Sequence, residues 1–177
     1  MKIIASILMI GLFLSACNSD TDKKTAAKEN NVKTVLKPFS DSTKMDTFKV
    51  SLSGSKPKEM LLTFHIISFD GKEIYQKVLK ATDLLDNYKE TVDLSKEKSQ
   101  RNFMADEFNF FLEDENFLEP AVTAEETPDQ YTADKAFYEE LKRSNLNGFK
   151  YRISKETKVY IAWSILEKKV KIYYKCC

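Results

Sequence analysis

The chain has 177 residues, 42% of them hydrophobic, with a formal net charge of +1. That length suits one domain and the apolar share suits a globular core. Four Gly and four Pro exclude a collagen-like or low-complexity chain, and a near-zero charge without a basic run excludes nucleic acid as the partner, because phosphate binding needs clustered Lys and Arg.

Met1 and Lys2 precede an apolar run, Ile3 to Leu14, broken only by Ala5, Ser6 and Gly11. One positive charge, a short apolar stretch and then small residues is the layout of a secretory signal peptide. The run is shorter than the ~20 residues a spanning helix needs. Leu14-Ser15-Ala16-Cys17 resembles a lipobox, and with it the N-terminus resembles that of small lipoproteins of the Gram-negative envelope. The resemblance implies removal of residues 1–16, a diacylglyceryl thioether on Cys17 and a third acyl chain, such as palmitate, on the new amine. Two or three chains make a stable bilayer anchor where one is marginal. Asn18 stands where Asp would favour inner-membrane retention, so the resemblance implies the outer membrane, at its periplasmic face or at the cell surface. Loss of residues 1–16 leaves equal numbers of basic and acidic residues.

Residues 17–45 read as the lipidated N-terminus and a disordered tether. They are rich in Lys, Asn, Thr, Ser and Asp, and such a segment buries too little surface to offset its ordering entropy. Residues 46–177 read as a single α+β domain. Phe48, Val50 and Leu52 alternate with polar residues, as in a half-buried strand. Met60 to Phe69 reads as a more buried strand, Asp70-Gly71 as a hairpin turn and Glu73 to Leu79 as the returning strand. Ala81 to Tyr88 reads as a short helix capped by Thr82. Over residues 95–118 the pattern favours a helix capped by Ser95, with Met104, Phe108, Phe111 and Leu118 on one face. Phe108, Phe110 and Leu112 fit a strand as well. Ala133 to Asn145 reads as a helix capped by Thr132, with Lys142 and Arg143 in its last turn, ended at Gly148. Two further alternations, Phe149 to Ile153 and Val159 to Ile165, lead through the Glu167-Lys168-Lys169 loop to Val170, Ile172 and Tyr174. The expected fold is an antiparallel sheet with helices covering one face.

No catalytic, cofactor-binding or metal-binding residue is assigned; Cys17 is the one site residue, for lipidation. His65, the only histidine, lies inside an apolar strand with no nucleophile motif in the chain, and reads as structural. One His and no C-x-x-C leave zinc unsupported. Residues 102–134 contain ten acids and no Lys or Arg. They read as a solvated acidic face, with a docking surface for a basic partner and a Ca²⁺ site at Glu113-Asp114-Glu115-Asn116 as alternatives. Tyr151, Tyr160, Trp163, Tyr173 and Tyr174 cluster in the last strands; they read as packing, or as rings that grip a sugar or a protein. Cys176 and Cys177 read as an exposed, frayed end, with intermolecular disulfides or capture of a soft metal as alternatives.

These features point to a membrane-anchored, non-enzymatic binding or structural module. Its expected partners are the lipid bilayer through Cys17 and an envelope protein or glycan. The competing expectation is a hydrolase that uses paired carboxylates on envelope polysaccharide. An inhibitor with an acidic face against a basic enzyme is a special case of the first.

Overall fold

The computed structural model describes residues 31–86, 93–154 and 156–176. Apolar alternation builds a first antiparallel sheet from β1 (Val32–Pro38), β2 (Met45–Ser53), β3 (Leu61–Ile67) and β4 (Glu73–Lys80), in the order β1-β2-β3-β4. Its register sets Phe48 opposite Ile66, Val50 opposite Phe64 and Leu52 opposite Leu62, which gives the β2–β3 pair an apolar inward stripe, with buried Asp46 at one end. The turn between β3 and β4 uses Gly71 at φ 86°, a left-handed conformation that Gly adopts without a Cβ penalty.

A second antiparallel sheet follows, from β5 (Phe117–Leu118), β6 (Gly148–Arg152), β7 (Lys158–Ser164) and β8 (Lys169–Cys176), in the order β5-β6-β7-β8. The fold is α+β, and the single sheet expected from sequence is two sheets. They meet through rings: Phe48 lies 5.0 Å from Phe117, and Phe64 lies 5.0 Å from Phe149. Edge-to-face and tilted pairs of this kind add to the roughly 1.5–3 kcal/mol from burying each such side chain.

Among the described residues three α-helices complete the fold: α1 (Ala81–Leu85), α2 (Glu97–Phe110) and α3 (Lys135–Ser144). α2 adds Met104 and Phe108 to the core between the sheets, and Phe111 follows them in. α3 covers the other face of the second sheet, packing Phe137, Tyr138 and Leu141 against Ala162 and Tyr173. Glu140 fastens this layer: its buried carboxylate accepts from the Ser164 hydroxyl at 3.0 Å and from the Leu166 N–H at 3.2 Å. The second sheet is therefore covered on both faces.

Several boundaries differ from the expectation. Residues 32–38, expected to belong to the tether, form β1, which pairs along its length with β2. The inward positions of β1 include Lys33 and Lys37, whose ammonium groups lie 5.7 Å from the Phe108 ring centre and 5.1 Å from that of Phe117. Their stems cover the core while their charges reach its rim, so a core-facing strand carries a linker-like composition. α2 starts after Lys96; the Ser95 hydroxyl turns instead to Asp93. The helix stops at Phe110, where the Asn116 side chain donates to the Phe110 and Phe111 carbonyls at 2.9 and 3.1 Å, and Leu118 belongs to β5. The cap of α3 is Asp134, which accepts from the Phe137 N–H, not Thr132. Asn145, at φ 53°, ends that helix, while Gly148 opens β6. α1 has no side-chain cap from Thr82; the expected end of this helix, Tyr88, lies outside the described residues. Cys176 is no frayed end: it is half-buried in β8 opposite Lys158. Cys177, Cys17 and the rest of residues 1–30 lie outside the described residues.

Asp134 supports a pH prediction. The Lys171 ammonium, 2.8 Å away, and the Phe137 N–H hold its carboxyl below the ordinary value of 3.8. A lowered folded-state pKa gives stability that is complete above the ordinary value and is lost as pH falls through the lowered one. Asp134→Ala is expected to destabilise the domain by about 1 kcal/mol at pH 7. In urea melts across pH, its difference from the parent should shrink in the acid range; a difference unchanged from pH 7 to pH 2 would contradict the assignment.

Candidate functional site: a tyrosine-lined acidic cleft

The chain leaves β5 at Leu118 and runs over the outer face of the second sheet before reaching α3. Gly148 makes this course possible. A Cβ there would stand 2.9 Å from the Ala121 Cβ, 3.1 Å from the Tyr173 hydroxyl and 3.2 Å from the Ala121 Cα. Without it the strand and the crossing segment come into direct contact. The Ala121 N–H then donates to the Leu146 carbonyl at 2.8 Å, and the Ala121 carbonyl accepts from the buried Tyr173 hydroxyl at 2.9 Å. Further on, Thr132 forms a bridge with Tyr174, the Ala133 N–H donates to the Tyr173 carbonyl and the Lys175 N–H to the Tyr131 carbonyl. The segment is thus sewn to the edge of β8 and covers part of an otherwise open sheet edge.

Between these two seams lies a cleft of about 500 Å³. Its floor is aromatic. Tyr160 lies 6.1 Å from Tyr173 and 5.2 Å from Tyr174, Tyr138 lies 6.3 Å from Tyr173, and Tyr131 lies 6.0 Å from Tyr174. Five of the eight tyrosines therefore form one connected group. Glu119, Glu126 and Asp129 also line the cleft, and no Lys or Arg does. Glu119 pairs with Lys37 at 3.2 Å. Among the described residues, Glu126 and Asp129 form no ion pair. Glu126 accepts from the Thr123 N–H at 2.6 Å, and Asp129 from the Tyr174 hydroxyl and the Tyr131 N–H, each at 2.8 Å.

The electrostatics follow from this geometry. Burial works against the charge on Asp129, but the hydrogen bonds from Tyr174, Tyr131 and Thr132 outweigh it and hold the carboxyl below its ordinary range. Burial raises the Tyr138 phenol, and the charges of Glu126, Asp129 and Glu139 raise it further. Burial and Glu126 push Tyr173 the same way. The cleft is a negative site with ring faces, suited to holding a cation. An acid with a lowered pKa is a poor proton donor, so Asp129 does not suit general acid catalysis.

The residues singled out from sequence are divided by the structure. Tyr160, Tyr173 and Tyr174 come together with Glu119, Glu126 and Asp129. Tyr151 instead packs among the core rings and shares a 2.6 Å hydrogen bond with the Tyr75 hydroxyl. Trp163 packs toward the core and borders a groove with Phe69 and Ile165. The acids of residues 102–134 do not form one face. Glu107 pairs with Arg152, Asp114 with Lys37, and Asp134 with Lys171. Burial raises the Glu107 carboxyl, against the opposing pull of Arg152. His65 sits on the outer face of the first sheet, its Nδ1 2.5 Å from Glu73. Among the described residues no group of His, Cys, Asp and Glu is placed to hold a metal ion, and no helix is long and apolar enough to cross a membrane. Tyr131 and Tyr138 are the members of the tyrosine group that sequence reading missed; for Tyr138, its place beside Phe137 and Leu141 on the buried face of α3 is the signal that marks it.

Compared with known proteins, the chain matches no family, none of the curated proteins and no solved structure.

Gly148→Ala is expected to cost about 1–3 kcal/mol through overpacking, with part of the loss restored by adding Ala121→Gly. Thermal melts of the single and double variants check this. A single variant as stable as the parent would show that the crossing segment does not rest on β6.

Proposed function

We propose that this chain is an envelope lipoprotein, anchored through acylated Cys17, whose domain is a non-enzymatic binding module for an envelope protein. The lipobox residues Leu14-Ser15-Ala16-Cys17 support the anchor. The observation that carries the binding role is the cleft. It combines tyrosine faces with two carboxylates that have no ion-pair partner among the described residues. Tyrosine supplies amphipathic contact area at low entropic cost and is enriched where proteins bind one another.

The first described strand starts at Val32, which shortens the leash expected from sequence. From Cys17 to Val32 the chain reaches at most about 50 Å, so the module works close to the membrane that holds it. An outer-membrane location, at the periplasmic face or the cell surface, is part of the same proposal and rests on Asn18.

Two measurements test the reading. Mass spectrometry of the mature N-terminus should show acyl chains on Cys17, and Cys17→Ala should abolish them; a wild-type N-terminus without acyl chains would overturn the anchor. A photoreactive residue at Thr127, which lines the cleft, should give a discrete protein adduct in intact envelopes. The same residue at Lys49, on the exposed face of β2, should give none. Adducts from neither position, or equally from both, would overturn the assignment of the cleft.

A further inference from the structure

Three features of the cleft ask for a ligand of one kind. Its charge is negative: Glu126 and Asp129 face it, and no Lys or Arg lines it. The Lys142 ammonium is engaged by the Glu126 backbone carbonyl at 2.8 Å and does not line the cleft, so an anionic ligand would meet two carboxylates and no lining cation. Its floor offers the ring faces of Tyr160 and Tyr174, set nearly perpendicular at 83°. Its inner wall holds Tyr138, only 5% exposed, whose hydroxyl has no hydrogen-bond partner among the described residues. The residue is nine-tenths buried, and its phenol oxygen opens on the cleft with its acceptor capacity unused, so a bound donor can reach it. This last observation is independent of the carboxylates, since it concerns a neutral group on another element.

We propose that the cleft receives the guanidinium of an arginine side chain presented by the protein partner, an inference that rests on the binding role proposed above. A guanidinium has five N–H donors in a planar fork and no acceptor. The acceptors present are the carboxylate oxygens of Glu126 and Asp129 and the Tyr138 oxygen. Arginine is weakly hydrated and stacks on aromatic faces, so it loses less on entering a tyrosine-lined site than the strongly hydrated ammonium of lysine. The cleft, about 500 Å³, has room for the side chain together with part of the backbone that carries it. A neutral sugar would stack on the same rings but would leave both carboxylates without a counter-charge.

The experiment uses the mature lipoprotein in detergent micelles, titrated with three blocked tripeptides: Gly-Arg-Gly, Gly-Lys-Gly and the citrulline analogue. Tyrosine ring signals in NMR spectra report binding. The arginine peptide should bind saturably and move the rings of Tyr138, Tyr160 and Tyr174. Citrulline, which keeps the shape and loses the charge, should bind at least about tenfold more weakly, and lysine several-fold more weakly. Asp129→Asn keeps the acceptor for the Tyr131 N–H and should weaken the arginine peptide about tenfold. Tyr138→Phe removes only the hydroxyl and should weaken it several-fold with the melting temperature maintained. Equal binding of arginine and citrulline, equal binding of arginine and lysine, or full affinity in both variants would overturn the proposal. The two readings fail separately. A Thr127 adduct that persists in envelopes while the arginine peptide does not bind removes arginine and leaves the docking surface. A peptide that binds while no adduct forms removes the docking surface.

Discussion

The close contact at Gly148 governs how the second half of the molecule is arranged. With no side chain at that position, the backbone at Ala121 settles directly on β6, and the Tyr173 hydroxyl reaches its carbonyl. The segment from Glu119 to Tyr131 is then a fixed wall over the sheet, closed at its far end by the bridge between Thr132 and Tyr174. Glu126 and Asp129 ride on that wall, and the tyrosines ride on the sheet and on α3. Precise placement of binding groups requires rigid elements beneath them, and here both sides of the cleft are tied down by backbone hydrogen bonds.

The sheet that carries the tyrosines is itself held from behind. Val159, Ile161, Phe149 and Tyr151 point from it into the core shared with β2, β3 and α2. The neighbouring positions, Tyr160 and Ala162, face α3 and the cleft. One strand thus contributes to the core and to the cleft on alternate residues, the period of two that a pleated strand imposes. Stability and the proposed recognition are coupled through β7: a change that loosens the core face also displaces the ring on the other side. The Glu140 carboxylate, bound to Ser164 and Leu166, adds a polar fastening between α3 and the end of the same strand.

Much of the scaffold is legible in sequence, because alternation and turn residues act locally. β2, the hairpin of β3 and β4, α3, and the pair β7 and β8 all carry clear patterns at Phe48 to Leu52, Asp70-Gly71, Phe137 to Leu141 and Val159 to Trp163. β1 is obscured because Lys33 and Lys37 occupy core-facing positions and cover rings with their stems. β5 has two residues, too few for any period. The cleft depends on a register shift that alternation does not encode. Tyr160 pairs with Tyr174 and Ile161 with Ile172, so Tyr173 is the extra residue of a bulge. A bulge re-aims side chains, and this one brings two adjacent tyrosines into contact with the same ring. The acids of residues 102–134 are contiguous in sequence but are sorted in space by their partners: Lys37, Arg152 and Lys171 take Asp114 and Glu119, Glu107, and Asp134 respectively. Among the described residues, the cleft carboxylates that form no ion pair are those of Glu126 and Asp129, a distinction that depends on tertiary structure.

The central claim is that Asp129 is held, charged, against the tyrosine floor. A carboxyl-¹³C NMR titration of Asp129 in the parent and in Tyr174→Phe measures this directly. The structure predicts a pKa below the ordinary 3.8 in the parent, because the Tyr174 hydroxyl at 2.8 Å stabilises the charged form, and a rise when that hydroxyl is removed. An ordinary value that does not respond to the substitution would contradict the account.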